Sequence, residues 1–558
     1  MKLKKLLVMV TLALGLCLPV AAFELADVHY WVGEGTNRCG VIIDWGAKGG
    51  SRAWGYRWSG TCTNLSEVVR RIVWEDPRLV ANAQQTFFGY DVNDIHPTWC
   101  ADMAWCSDLS AYVAVNTAES EWMWSAGPQT VPQDGAVYML TYGGGSGPSQ
   151  QIVPAETPYG FEVLEEESET DENGPLYGNF ANVLGHPTMG IFSSSAQYGD
   201  SGSTINPAYP AWSGGRLLTL KSGSVVIRFD HKVRDDPANP FGIDLLVFGN
   251  AFAVRSNLEN VTLTTDPKNV RFNGAGAAEP AFVEVSPDGV TWYGYEDGPY
   301  ADDYMPTLGY CYDPEDPDPA LFAGNRYWGR SARATRPVDP RRTFADFNGC
   351  TLAEICQRYN GSAGGTGFDL ALARDGDGNP LPVDKELGVR WIQYVRISSM
   401  ETDEPNQDGD YETQPEVDAV ADVAPVSQYE KWVEANYTNW NTAWDPAVSG
   451  TDAIAANGKA NGVNFVLGLQ ANETSEALNF TIAEFVKGET THTLVMMSNK
   501  PMTDSAGLVV KGCETLGQWT KSELPVLESS ELVDGLYRNV FKVSADCGQF
   551  FRLSLEVE

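Results

Sequence analysis

The chain has 558 residues and a formal charge of −36, set by 74 acidic against 38 basic side chains. That balance excludes partners read through a basic patch, nucleic acid and anionic membrane surfaces above all, and suits cation binding or a solvated acidic surface. One hydrophobic core does not grow to this size, so roughly three or four domains are expected.

Residues 1–22 have the three parts of a secretory signal: Lys2, Lys4 and Lys5, the apolar run Leu6 to Leu18, and the small-residue site Val20-Ala21-Ala22. The run is too short to span a membrane, and no later stretch approaches the ~20 apolar residues a span needs. The expectation is a secreted or cell-surface protein. Cys17 follows Leu16, where a lipoprotein signal wants a small residue.

Nine cysteines follow the signal: Cys39, Cys62, Cys100, Cys106, Cys311, Cys350, Cys356, Cys513 and Cys547. In an oxidising compartment several would pair. Cys39–Cys62, Cys100–Cys106, Cys350–Cys356 and Cys513–Cys547 are the sequence-local pairings, and Cys311 can replace either partner in the third. No Cys-x-x-Cys spacing occurs and histidines number five, which argues against a structural zinc site.

Residues 23–154 read as a small α+β domain. Two apolar strands lead to the aromatic alternation Trp54 to Trp58. Leu65, Val68, Val69, Ile72 and Val73 then fall at helical spacing, with Ser66 or Asn64 as cap and Pro77 as terminator. Trp99, Trp105, Tyr112, Trp122 and Trp124 continue the aromatic excess. Those rings either line a planar-ligand site or, the favoured reading, fill a thin core. The pattern closes with Ala136 to Tyr142 and the Gly/Ser/Pro linker Gly143 to Pro148. HYWVGEGTNRCGVIIDW, AWGYRW and the helix ending in DPRL resemble an N-terminal module of uncharacterised exported bacterial proteins. The resemblance supplies no catalytic residues.

Glu165 to Asn173 reads as an acidic loop between domains. Residues 174–425 then carry strands at Leu217–Leu220, Ser224–Phe229, Ile243–Phe248, Ala281–Val285, Trp292–Tyr295 and Ile392–Ile397, with a long loop from Asp297 to Gln357. Alternation bounded by Gly, Pro and Asp is the pattern of an all-β sandwich. NVLGHPTMG, SGSVVIRFDHKVRDDPANPFGIDLLVFGNAF, EPAFVEVSPDGVTWY, GGTGFDLA, VRWIQYVRI and PEVDAVADVAP follow in order. Together they resemble the bacterial "cell surface protein" family, with a jelly roll related in architecture to discoidin and carbohydrate-binding sandwiches. The resemblance implies a calcium joining chain ends and ligand-binding loops at one rim. Some relatives belong to nutrient-capture systems, corrinoid uptake included.

Residues 427–470 form a connector. Tyr429, Trp432, Val433 and Tyr437 fit one amphipathic helix. Gly450 to Gln470 resembles a calcium-type linker of exported bacterial proteins whose acidic ligands have become Ala, Asn and Lys. Residues 471–558 read as a C-terminal β-domain, and the FFRL ending resembles terminal domains used for attachment or sorting. The fold class is therefore mostly β and multidomain, a central jelly-roll β-sandwich between a small α+β domain and a C-terminal β-sandwich.

Two oxygen sets qualify for calcium, which takes 6–8 oxygen ligands. The local one is Asp375, Asp377 and Asn379 on a Gly-bent loop, with Glu386 at the twelfth position; a plain Asp-Gly-Asn turn is the competing reading. The dispersed one is Asp244, Asn250, Glu279, Glu416 and Asp418, at or near strand ends. Asp418 sits between Val417 and Ala419, so its carboxylate requires a cation or a partner such as Arg396. Turn and strand caps are the plainer alternative.

Catalytic patterns fail on context. Gly199-Asp-Ser-Gly202 resembles a trypsin-like nucleophile segment, but no histidine stands in a matching setting, and His186 and His231 are unsupported as bases. Acidic pairs such as Glu165–Glu167 lack an apolar pocket for glycosidic acid catalysis. The reading is a binding protein rather than an enzyme. Glycan is the first ligand class, stacked on Trp292, Tyr293, Tyr295, Tyr327 and Trp328. A corrinoid-like nutrient, a glycoside-active enzyme and a structural envelope protein are the alternatives.

Overall fold

The computed structural model describes residues 23–555 apart from 63, 87–88, 98–108, 115–122, 125–129, 143–150, 171–177, 188–216, 257–264, 319–323, 403–411, 440–443, 452, 459, 468–469, 473–480, 487–490, 499–507, 514–525 and 545–549. The signal segment, the linker Gly143 to Pro148, the 199–202 turn, Trp99, Trp105, Trp122 and the Cys100–Cys106 and Cys513–Cys547 pairings lie outside these residues. The described chain is mostly β, in several sheets. No described helix is long and apolar enough to cross a membrane.

In the first domain Asn37–Asp44 and Ser51–Trp58 form an antiparallel hairpin, and Val137–Tyr142 runs parallel to its first strand. The helix Leu65–Glu75 starts where the Asn64 side chain accepts the Glu67 N–H at 2.9 Å. It buries Leu65, Val68, Val69 and Ile72 against the sheet and stops before Pro77. Trp45, Trp54, Tyr56 and Trp58 are all buried in the same core, so these aromatics of the domain are packing residues. Asp76 is wholly buried. It accepts the Trp54 indole N–H at 2.9 Å and both arms of the Arg78 guanidinium at 2.8 Å.

The central domain turns on one 17-residue strand, Leu218–Arg234. Its start pairs with Glu416–Asp422, which continues to Leu245–Gly249 and Thr366–Phe368. Its remainder pairs on one side with Trp391–Ser398, which leads on to Phe282–Ser286 and Tyr293–Gly294. On the other side lies Glu162–Thr170. The long strand therefore belongs to both leaves of a curled sandwich. Between them lie Val225, Ile227, Phe229, Leu245, Val247, Val283, Val285, Val395 and Ile397, all fully or almost fully buried. Glu162–Thr170 corrects the expected acidic loop. It is an edge strand, a position where charge discourages pairing with another chain. The 297–357 stretch likewise holds a hairpin, Tyr310–Tyr312 with Trp328–Ser331, and the helix Leu352–Tyr359 begins inside it.

The two domains are fastened through the first domain's helix. Trp74 lies between Arg330 and Arg333, whose guanidinium carbons stand 4.4 and 4.3 Å from the ring centroid, and its indole N–H donates to the Ser331 carbonyl at 3.0 Å. Arg71 pairs with Asp318 at 2.6 Å. Beyond the sandwich, helix Gln428–Asn436 packs Trp432 and Val433 on Phe465. The C-terminal domain has a four-stranded sheet, Thr481–Val486, Thr491–Ser498, Leu536–Ser544 and Val526–Val533 in spatial order. A two-stranded ribbon, Leu508–Cys513 with Phe550–Leu555, completes it.

Candidate metal centre

The register of the sandwich brings two distant aspartates together. Leu245 pairs with Phe368 in antiparallel strands, so Asp244, one residue before the first strand, and Asp369, one residue after the second, share an end. The Asp244 backbone N–H donates to the Phe368 carbonyl at 2.9 Å. The long strand ends beside them at Arg234, and Asp235 comes next. From there the chain must double back to Asp244 within a few residues. Pro240 starts a one-turn helix, and Phe241 and Gly242 take the left-handed φ values of 55° and 75° that close the loop. One oxygen from each of Asp235, Asp244 and Asp369 lies within 4.8 Å of the others. Oxygens bound 2.3–2.6 Å from one calcium are separated by about this much or less.

The electrostatics of this cluster are unbalanced. Asp244 is fully buried. Burial pushes its carboxyl from 3.8 up to about 7; hydrogen bonds from the Leu370 N–H (3.0 Å) and Asn239 Nδ2 (2.8 Å) oppose the rise, and the Asp235 charge adds to it. Asp369 is pushed up by burial and by Asp235, against Arg390 and Arg374. Arg390 bonds Asp235 at 3.0 Å. Two further groups lack partners there. Tyr295 is buried against Phe368, its hydroxyl has no hydrogen bond, and Asp244, Asp369 and Asp235 are the charges that act on it. Asn239, 1% exposed, donates to Asp244 while its own Oδ1 is unpartnered. Each such orphan costs about 1–3 kcal/mol. A cation between the carboxylates relieves the repulsion.

The dispersed sequence set separates into two groups at opposite ends of Leu245–Gly249, a strand of about 16 Å. Asp244 belongs to the aspartate cluster. Asn250 and Glu416 gather at the other end around Asp302, to whose backbone carbonyl Glu279, itself exposed, donates its N–H at 3.2 Å. Asp302 is buried, with Oδ1 accepting the Ala251 N–H at 2.7 Å and Oδ2 the Glu416 N–H at 3.3 Å. Glu416 accepts from Asn250 Nδ2 and from the Thr219 hydroxyl. Gly249 is required for this approach: a Cβ there would stand 2.3 Å from Asp302 Oδ1. These donors engage Asp302 and Glu416, while burial and the neighbouring Glu416 and Glu279 charges push the Asp302 carboxyl well up.

Asp418 is buried as its position implied, but Arg396 is directed elsewhere, to Glu284 at 2.6 Å. Asp375 accepts the N–H groups of Asp377 (3.0 Å) and Asn379 (2.8 Å) and the Asn379 side-chain amide, a self-contained turn. Asp377, Asn379 and Glu386 are exposed.

The five aromatics do not share one rim. Tyr293, Tyr295 and Trp328 are buried. Trp328 meets Tyr312 edge-on, and Tyr327 packs on the core from its margin. Trp292 is half-buried with Arg396 over its ring at 4.3 Å. Sequence reasoning missed Asp235, Asn239 and Asp369 and read Tyr295 as a rim aromatic. The signal was present in DDPANPFGID, whose acids and amide bracket a Pro-bounded loop, and in GGTGFDLA.

No protein-family model, curated protein or solved structure matches this chain.

Proposed function

We propose that this protein is an exported or cell-surface binding protein whose central sandwich is fastened by calcium at Asp235, Asp244 and Asp369. The observation that carries the reading is the convergence of three carboxylates from three segments beside two unpartnered buried oxygens, Asn239 Oδ1 and Tyr295 Oη. The donor set is all oxygen, which favours a hard cation over zinc or copper, and calcium tolerates its irregular shape. The charge of −36 supports a cation partner. Binding rather than turnover is the role, with glycan as the ligand class and Trp292 and Tyr327 as the partly open rings.

Isothermal titration of chelator-stripped protein tests the cation. The expected result is one calcium equivalent bound by the wild type and binding at least about tenfold weaker by Asp369→Asn; equal affinity in both contradicts the assignment. Glycan-array binding tests the ligand class separately.

A further inference from the structure

We infer that the cation centre controls the docking of the connector helix Gln428–Asn436, an inference that rests on the calcium proposed at Asp235, Asp244 and Asp369. The loop from Asp235 to Asp244 carries two of those carboxylates. Between them stands Asn239, whose amide donates to Asp244 at 2.8 Å. The backbone of the same loop seats the helix. The Val426 N–H donates to the Ala238 carbonyl at 3.1 Å, Lys431 Nζ to the Asn239 carbonyl at 2.6 Å, and the Phe241 N–H to Glu434 Oε2 at 3.2 Å. Lys431 and Glu434 pair with each other at 3.4 Å. Asn239 therefore meets the aspartates with its side chain and the helix with its carbonyl.

The helix in turn holds the connector. Tyr429 Oη donates to the Ser449 carbonyl at 2.7 Å, and Asn436 Oδ1 accepts the Ala471 N–H at 2.7 Å. Trp432 meets Phe465 with 6.5 Å between ring centroids. A pair outside the loop, Arg336 with Glu430 at 2.8 Å, also anchors the helix, so loss of the cation loosens the helix rather than freeing it.

Phe241 is where the two influences meet. It is held at φ 55°, a left-handed conformation that a non-glycine residue keeps only where its surroundings impose it. A cation that draws Asp235 and Asp244 together closes the loop at its two ends. The helix closes it at the middle, through Ala238, Asn239 and Phe241. Both stabilise one loop conformation, so their effects are reciprocal: calcium favours the docked helix by the factor by which docking favours calcium.

The test uses the full-length protein, stripped by chelator and then titrated with calcium chloride. Hydrogen–deuterium exchange is read on peptides spanning residues 428–436, and binding is read by titration calorimetry on the same samples. Calcium is expected to slow exchange in the wild-type helix at least about fivefold. Lys431→Ala combined with Glu434→Ala should abolish that slowing and weaken calcium binding by a similar factor. Asp369→Asn, outside the loop, should shift the slowing to calcium levels at least about tenfold higher, so a folding defect in the double variant leaves the coupling testable. Calcium bound with helix exchange unchanged overturns the coupling and leaves the centre standing. Slowing retained in full by the double variant overturns the coupling as well. No calcium binding at all overturns the centre and this inference together.

Discussion

Asn239 Nδ2 donates to Asp244 Oδ1 at 2.8 Å, deep inside the sandwich, while the Asn239 carbonyl oxygen is left without a partner. The bond orients Asp244 but does not neutralise it. Asp235 and Asp369 stand close by with charge of the same sign. Arg390 answers Asp235 at 3.0 Å; the charge that Asp244 and Asp369 retain is relieved by a proton or, on the proposal above, by a cation.

The pH dependence follows from Asp244. Its carboxyl titrates near 7 in the folded chain and near 3.8 when free. The unfolded chain therefore loses this proton first as pH rises. Stability is fully present below about pH 4 and is lost as pH climbs through about 7, on the order of a few kcal/mol. Differential scanning calorimetry in chelator should show Tm falling between about pH 4 and about pH 7. Excess calcium should restore Tm at the upper end and do little at the lower. A Tm that rises with pH in chelator would count against the assignment.

Removing one acidic ligand should be costly for affinity and cheap for the fold. Asp235→Asn and Asp369→Asn each keep the shape and drop a charge. Calcium affinity is expected to fall by tenfold or more, about 1.4 kcal/mol. In chelator Asp369→Asn should melt at or above the wild-type temperature, because like-charge repulsion is relieved, whereas Asp235→Asn also gives up its pair with Arg390. Titration calorimetry and melting curves on the same samples check both halves.

Asp76 is a different kind of buried acid, one with its charge answered. Arg78 and the Trp54 indole hold it in the first domain. Asp76→Ala strips the Arg78 guanidinium of both bonds to this carboxylate, leaving it the Glu156 carbonyl at 2.7 Å, and leaves the buried Trp54 N–H without its acceptor. The expected loss is about 3–4 kcal/mol in urea unfolding. A loss within 0.5 kcal/mol, the range of about an ordinary surface change, would show that the pair carries no stability.

His231 bridges Asp230 and Asp422 at 2.9 Å on each ring nitrogen. Burial pulls its pKa down, but those two carboxylates outweigh it and hold the ring near 9 against an ordinary 6.5. This contribution is fully present below about 6.5 and disappears as pH passes through 9. His231→Gln should therefore cost about 2 kcal/mol at pH 6 and much less at pH 10. Chemical denaturation at the two pH values decides it.

The strands were legible because alternation survives in sequence: Ser224–Phe229, Ile243–Phe248 and Ile392–Ile397 all fall within or beside observed strands. The helix after Asn64 was equally clear from its cap and apolar spacing. Glu162–Thr170 was misread because its run of acids looks like a solvated loop, whereas its backbone completes a sheet edge. The helix Leu352–Tyr359 has a full capping box, Thr351 with Glu354, but only eight residues of periodicity inside a long irregular stretch. Asp244 was found from its place before a buried strand. Asp369 was not, because 125 residues separate the two and only strand register joins them. Tyr295 and Trp328 show the converse limit: ring chemistry is visible in sequence, but the side of the sheet that hides the ring is not.

Calcium-anomalous diffraction from crystals grown with calcium tests the central claim most directly. The account predicts a difference peak bonded to Asp235, Asp244 and Asp369, at about 2.3–2.6 Å from each contributing oxygen. Ordered density for all three carboxylates with no peak between them, at calcium levels well above physiological, would contradict it.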